Sequence, residues 1–343
     1  MKVERQFSIE PKKSGRYSAF PTLICHGDRI WMACRQGVTP SKTPHGDGGK
    51  IYFYFGDGGT ENRWQRVPVF FNQTHTLPND LDAILSGPFD GQCVLVSRHY
   101  RNNQENVPYI SIFDASRLDE ATHGKSPLIL NRRPINSLID RRNGGVLVAA
   151  VYGHVRLIDT GEWLMSSYAT VEGDIMHSPV ILGSQDRGNS WYIKSVIVHS
   201  DALKKYLNEN TFVQMSNGKW IAVIRAEAKP NPLYFAISES GMTDWLPVQE
   251  TGLHGHSPVL IKGGDRPVLL YRDLDNHQPA ISAAEYCDGV WKRICVLAEY
   301  ENLYNGGYAD ALIAPDGKLF SAAYMDDDEA FPWIEGFRFE LGG

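Results

Sequence analysis

Charged side chains set at the ends of apolar runs are the first feature of this sequence that calls for a chemical explanation. Glu209 stands two residues before Thr211-Phe212-Val213, and Arg225 follows Trp220-Ile221-Ala222-Val223 at the far end of the same predicted hairpin. Arg272 closes Leu269-Leu270-Tyr271 in the same way. Two guanidiniums brought to one place repel each other and need an anion, and a planar carboxylate matches their fork. Simpler partners stand next door in sequence, Glu227 for Arg225 and Asp273 for Arg272. Tyr308 follows Gly306-Gly307, which would let the backbone come close to a ligand. Beside a carboxylate base and cationic neighbours, a phenol loses its proton at lower cost and becomes a nucleophile. Plain packing is the simpler alternative for a strand tyrosine.

These positions act together only if the chain folds to bring them together, and the turns indicate how. Pairs of Gly with Asp or Asn recur at Gly27-Asp28, Asp90-Gly91, Asn143-Gly144, Asn217-Gly218, Gly264-Asp265 and Asp316-Gly317, each between short apolar runs. Their spacing leaves room for about four short strands per repeat. The flanks resemble one another: Pro21-Thr22-Leu23-Ile24 and Pro258-Val259-Leu260-Ile261 lead into turns, while Ile30-Trp31-Met32-Ala33 and Val268-Leu269-Leu270-Tyr271 lead out. They read as paired inner strands. Ser184-Gln185-Asp186-Arg187-Gly188-Asn189-Ser190-Trp191 has the spacing of an Asp-box, a hairpin turn whose Asp and Ser bond local backbone while the Trp plugs between strands. Worn copies lie at 238–245, at 287–291 and at Asp57-Gly58-Gly59-Thr60 leading to Trp64. Only residues 200–208 look helical, with Ser200 placed to cap them. Six four-stranded units without a linker predict an all-β chain, one domain over 1–343, folded as a six-bladed β-propeller closed by pairing 3–9 with 336–341. In that fold the innermost strands converge, so Glu209, Arg225, Arg272 and Tyr308 are expected around one central pocket.

The Asp-boxes, the Leu207-Asn208-Glu209 to Arg225 hairpin, Arg272 at its strand end and Gly307-Tyr308-Ala309-Asp310-Ala311-Leu312 together resemble the sialidase (neuraminidase) superfamily. The resemblance covers nearly the whole chain, most specifically 178–325. It implies a propeller that removes sialic acid with retention: Tyr308 as nucleophile, Glu209 as its base, and Arg225 and Arg272 as two of three arginines on the sugar carboxylate. Where the family has Arg-Ile-Pro in its first blade, this chain has Ala19-Phe20-Pro21, so the first arginine is replaced by Ala19. Arg16 and Arg35 are the candidates to take its place. The acid/base loop falls on Thr43-Pro44-His45-Gly46-Asp47-Gly48-Gly49, with Asp47 first choice and His45 second; an ordinary Gly-rich turn is the alternative.

Composition excludes several other classes. A formal charge of −6 over 343 residues, with no basic run, argues against nucleic acid. Five scattered cysteines without a C-x-x-C pair signal neither a disulfide framework nor a zinc knuckle. No apolar stretch is long enough to span a membrane, and none follows the first charges as a leader would. No nucleotide, flavin or haem motif is present, so catalysis is expected without a cofactor. His254-Gly255-His256 offers two metal ligands without a third, and no metal is expected. The expected partner is a sialylated or other acidic glycan. Alternatives are an endo-acting polysialic or capsular polysaccharide depolymerase and a non-catalytic sialic-acid-binding propeller. A lyase acting on a uronic acid ranks third, since histidines such as His99, His154, His177 and His277 are numerous around strand ends.

Overall fold

The computed structural model describes residues 3–10, 12, 17–37, 49–58, 64–72, 80–101, 105–124, 127–138, 148–263, 265–302, 306–327 and 332–340. It consists of two compact units, one formed by Met1–Pro134 with Tyr300–Gly343 and the other by Ile135–Glu299. The first unit opens with β1 (Val3–Glu10), β2 (Ser18–His26), β3 (Arg29–Gly37), β4 (Gly49–Gly56), β5 (Gln65–Phe71), β6 (Asp80–Phe89), β7 (Gln92–Arg101) and β8 (Glu105–Asp114). Helix α1 (Ser116–Thr122), β9 (Leu128–Leu130) and β10 (Arg133–Pro134) follow. The second unit contains β11 (Val148–Val151), β12 (Arg156–Leu157), β13 (Trp163–Thr170), β14 (His177–Ser184), β15 (Tyr192–Val196) and the short helix α2 (Ser200–Leu203). It continues with β16 (Leu207–Gln214), β17 (Trp220–Ala226), β18 (Pro232–Ser238), β19 (Gln249–Gly263), β20 (Arg266–Asp273), β21 (Ala280–Cys287) and β22 (Val290–Glu299). The chain then returns to the first unit for β23 (Ala309–Ile313), β24 (Leu319–Met325) and β25 (Trp333–Phe339).

Antiparallel neighbours build four-stranded groups. In the first unit these are β2-β3-β4-β5 and β6-β7-β8-β10, joined by a β4–β6 pair into one nine-stranded sheet that also takes in β9, and β23-β24-β25 completed by β1. In the second they are β11-β13-β14-β15, β16-β17-β18-β19 and β19-β20-β21-β22, the long β19 serving two groups in turn. The predicted pairing of the chain's two ends is present: Val3 lies opposite Phe339 and Phe7 opposite Gly336. The predicted turns join the first two strands of their groups. Gly27, Gly91, Gly218 and Gly317 have φ of 61°, 78°, 83° and 81°, a backbone region in which a side chain would be strained. Asn143-Gly144 and Gly264 lie outside the described residues.

The inner strands are buried on both faces, which is why they read as continuous apolar runs. Successive residues of β3 point into different clusters, Trp31 with Phe53 and Leu95, Met32 with Phe7 and Phe320. β17 does the same, Ala222 and Ile224 on one side, Ile221 and Val223 on the other. Each Ile, Val, Leu, Met or Phe among them contributes about 1.5–3 kcal/mol by leaving water.

The helix expected over 200–208 shrinks to α2, which Lys204 ends with φ 53°. Ser200 does not cap it: the N-cap is His199, without a side-chain bond, and Ser200 Oγ donates to the His177 carbonyl while accepting from the Leu207 N–H. Strand pairing of β16 with β17 outbids a weak helical preference, so Asn208 and Glu209 sit inside a strand. Helix α1, which the sequence reading missed, buries Leu118 and Ala121. Among the described residues no helix is long and apolar enough to cross a membrane.

Candidate active site

In the second unit a β-bulge aims the acid. Leu207 faces Ala226 and Asn210 faces Ile224, so Asn208 and Glu209 together stand opposite the single residue Arg225. Glu209 Oε2 lies 2.9 Å from Arg225 Nη1 and accepts from the Ser257 N–H at 3.3 Å, tying this hairpin to the next one. The Glu209 N–H donates to Asn208 Oδ1 at 2.7 Å, which fixes the backbone behind the carboxylate. β19 repeats the device: His256 faces Arg272 and Val259 faces Leu270, leaving Ser257 and Pro258 opposite Tyr271, with Ser257 at φ 54°. Non-glycine residues held in that region accumulate at functional sites.

His256 Nδ1 lies 3.5 Å from Arg272 Nη1. A guanidinium N–H only donates, so Nδ1 is the acceptor and the ring proton is assigned to Nε2. Burial first, then Arg225 and Arg272, push the imidazole down from 6.5 to about 3, so it is neutral near pH 7. Its Nε2 and the Ser257 hydroxyl are buried without a hydrogen-bond partner among the described residues. Such groups cost stability unless something binds them. Arg225 also reaches Glu227, at 3.6 Å. Asp273 does not take Arg272; the two alternate along β20, and Asp273 accepts from Ser282 Oγ at 2.7 Å and Arg293 Nη1 at 2.8 Å. Glu209, Arg225, His256 and Arg272 thus form one compact polar cluster.

The first unit holds a third copy of the bulge. Ala19 faces Arg35 and Thr22 faces Ala33, leaving Phe20 and Pro21 opposite Cys34, with Phe20 at φ 55°. Phe20-Pro21 and Arg35 therefore occupy the places that Ser257-Pro258 and Arg272 hold in the second unit. Arg35 is 1% exposed and lies between the rings of Tyr17 and Phe20, 5.1 and 5.0 Å from their centres. On Phe20 also sits Tyr308, edge to face at 5.1 Å, and Tyr308 stacks on Tyr324 at 6.0 Å. Burial pushes the Tyr17 phenol up to about 12, against the pull of Arg35. The glycines before Tyr308 serve the fold: Gly307 has φ 80°, and a Cβ on Gly306 would meet the Tyr300 ring at 2.9 Å.

No family model matches the sequence, and no curated protein is similar to it in sequence. Solved structures are similar in fold. A protein of unknown function from Dyadobacter fermentans superposes with a TM-score of 0.77 at 17% identity, over 99% of each chain. Trypanosoma rangeli sialidase in complex with the inhibitor DANA gives 0.68 at 13%, over 99% of this chain and 58% of that one. Penicillium chrysogenum α-L-arabinanase complexed with arabinobiose gives 0.66 at 12%, over 99% of both. This is the fold of sialidases and arabinanases. The chain spans a little over half the length of the sialidase it matches.

Within that fold the sequence reading overlooked a further polar group in the first unit. Arg98, on β7 as Arg35 is on β3, holds both oxygens of Asp82 from its Nε, at 3.0 and 2.9 Å. Arg132 pairs with Asp80 at 2.5 Å and lies over the rings of Phe71 and Tyr109. The signal was present: Leu95-Val96-Ser97-Arg98 is another apolar run ending in arginine. His254 pairs with Asp275 at 2.7 Å, a partner different from that of His256. Arg16, His45 and Asp47 lie outside the described residues.

Proposed function

We propose that the protein is a glycoside hydrolase that releases a terminal acidic sugar, sialic acid or a related nine-carbon acid, with retention of configuration. The observation that carries this reading is the cluster of buried Glu209 and Arg272 with half-buried Arg225 and neutral His256. Two guanidiniums set beside a partnerless N–H suit a carboxylate better than they suit a neutral arabinose chain. The six four-stranded groups are read as the blades of one sialidase-type propeller, and the turn at 184–191 as its best Asp-box. In that turn Asp186 accepts from the Ser190 N–H at 2.8 Å and from Ser184 Oγ at 2.9 Å, and Trp191 is buried, so its part is structural.

In this proposal Arg225 and Arg272 hold the sugar carboxylate, and Arg35 stands in for the arginine that Ala19 replaces, with Arg16 as the other candidate. Tyr308 attacks the anomeric carbon while Glu209 takes its proton. Asp47, or else His45, protonates the leaving oxygen and later activates water. A tyrosine suits this substrate because its carboxylate adjoins the anomeric carbon, and an attacking carboxylate would meet like charge. The glycosyl–tyrosine bond forms as the leaving-group bond breaks, and water then releases the sugar.

Nuclear magnetic resonance of products from a sialyllactose and a polysialic acid panel tests the reading. Free sialic acid released first as the α anomer supports it. Internal cleavage of polysialic acid points to the endo-acting alternative. Binding of sialic acid with no turnover of any sialoside leaves the non-catalytic binding propeller, which the replaced first arginine favours.

A further inference from the structure

Glu227, which sequence alone offers as the partner of Arg225, has no part in the proposed reaction. Its backbone is pinned just beyond β17: the Glu227 N–H donates to the Tyr206 carbonyl at 3.0 Å, and the Glu227 carbonyl accepts from Asn231 Nδ2 at 3.0 Å. Its side chain is 45% exposed and borders an open depression, so the carboxylate can turn while the chain stays in place. One of its oxygens, Oε1, lies 3.6 Å from Arg225 Nη2. That is well beyond the about 2.7–2.9 Å of a charge-assisted hydrogen bond, the distance to which such a pair closes when nothing restrains it. Asn208 supplies the restraint. Its Nδ2 donates to the same Oε1 at 2.5 Å. Asn208 cannot follow the carboxylate inward, because it is 4% exposed and its Oδ1 accepts the Glu209 N–H at 2.7 Å.

We propose that Glu227 is a built-in competitor for the ligand carboxylate at Arg225, and that Asn208 is the tether that stops it from closing on the guanidinium. The inference rests on the acidic-sugar reading above. Glu209 already holds Arg225 Nη1 at 2.9 Å. A second acid closing on Nη2 would take up that donor and set another negative charge where an incoming anion must come. An amide suits the tether, since Asn208 donates from Nδ2 to Glu227 and accepts at Oδ1 from the backbone, and it carries no charge of its own. Arg225 therefore stands between two acids, bound by one and kept at a distance from the other. Selectivity follows from this balance. A ligand has to displace a half-engaged carboxylate, which a planar carboxylate taking two parallel donors does and a neutral sugar does not.

Calorimetric titration of N-acetylneuraminic acid into the full chain at constant salt tests the proposal, together with a crystal structure of Asn208→Ala. Glu227→Gln keeps an acceptor for Asn208 and removes the charge, so it is expected to bind the acid about threefold more tightly than wild type, the scale of a partly exposed ion pair. Asn208→Ala is expected to bind it about tenfold more weakly, with Glu227 drawn to hydrogen-bond distance of Arg225 in the crystal. The double variant should return to the affinity of Glu227→Gln, a rescue that mere damage to the Glu209 backbone would not allow. Asn208→Ser takes the place of Asn208→Ala in both measurements if the alanine variant does not fold. Unchanged or weaker binding by Glu227→Gln overturns the competitor. A double variant as weak as the Asn208 variant alone, or a Glu227 that stays in place in the crystal, overturns the tether. Absence of acid binding in every protein would end the acidic-sugar reading and the competitor with it, while the crystal structure still decides the tether, so the two failures are told apart.

Discussion

Arg272 and His256 face each other across β20 and β19, Nη1 3.5 Å from Nδ1, and because a guanidinium only donates, the ring proton is assigned to Nε2. The contact makes a neutral imidazole the neighbour of a buried guanidinium, where sequence alone suggested Asp273. The consequence is a ring N–H beside two cations, without a hydrogen-bond partner among the described residues.

Removing that guanidinium should therefore show in binding. Arg272→Ala is expected to raise the Kd for N-acetylneuraminic acid by about 30-fold or more, as for a truncated partner of a buried charge pair. Arg272→Lys should recover only part, since an ammonium cannot make the two parallel bonds. Calorimetry at constant salt checks both, and equal affinity in all three proteins would remove Arg272 from the site.

Catalysis should depend on the phenol and its base. Tyr308→Phe and Glu209→Gln are each expected to cut turnover of an aryl sialoside by about 10²–10⁴-fold. Full activity in both would end their assignment to the reaction. Glu209 also holds Arg225 and the Ser257 N–H, so its variant needs an unfolding measurement alongside.

His256 makes stability depend on acid. In the unfolded chain it takes up a proton below about 6.5, but in the fold only near 3. The unfolded state therefore binds more protons between those values, so this contribution is complete above 6.5 and is lost as pH falls towards 3. From pH 7 to pH 5 the loss amounts to at most about 2 kcal/mol. Urea unfolding at the two pH values should show His256→Phe losing less than wild type over this interval; identical losses would refute the half-buried neutral imidazole.

Asp273, one residue from Arg272, is expected to be structural. It is fully buried and accepts from Ser282, Arg293 and the Asp275 N–H. Asp273→Ala strands these donors and should cost about 2–4 kcal/mol in urea unfolding. A loss below about 0.5 kcal/mol, the usual size for a surface change, would show that the network contributes little.

Much of the architecture was legible because turns and inner strands leave local marks. Gly27, Gly91, Gly218 and Gly317 announce positive φ, and runs such as Ile30-Trp31-Met32-Ala33 announce burial on both faces. Glu209, Arg225 and Arg272 stood out as charges at the ends of such runs, and they do belong to one cluster. His256 did not, because its role depends on the bulge at Ser257 and on a cross-strand neighbour 16 positions away. The helix at 200–208 failed for the opposite reason, a local preference overruled by pairing with β17. Asp82 and Arg98 left a weaker mark, because their pairing depends on a cross-strand neighbour 16 positions away.

The pairing of β1 with β25 has a consequence for synthesis. β1 leaves the ribosome well ahead of its partner β25, which follows roughly a quarter of a minute to a minute later at ordinary elongation rates. Until then β1 offers a bare hydrogen-bonding edge, open to wrong partners. The Ile135–Glu299 unit is continuous in the chain and does not wait. A product ending at Glu299 would keep every strand of that unit and leave β1 permanently unmatched.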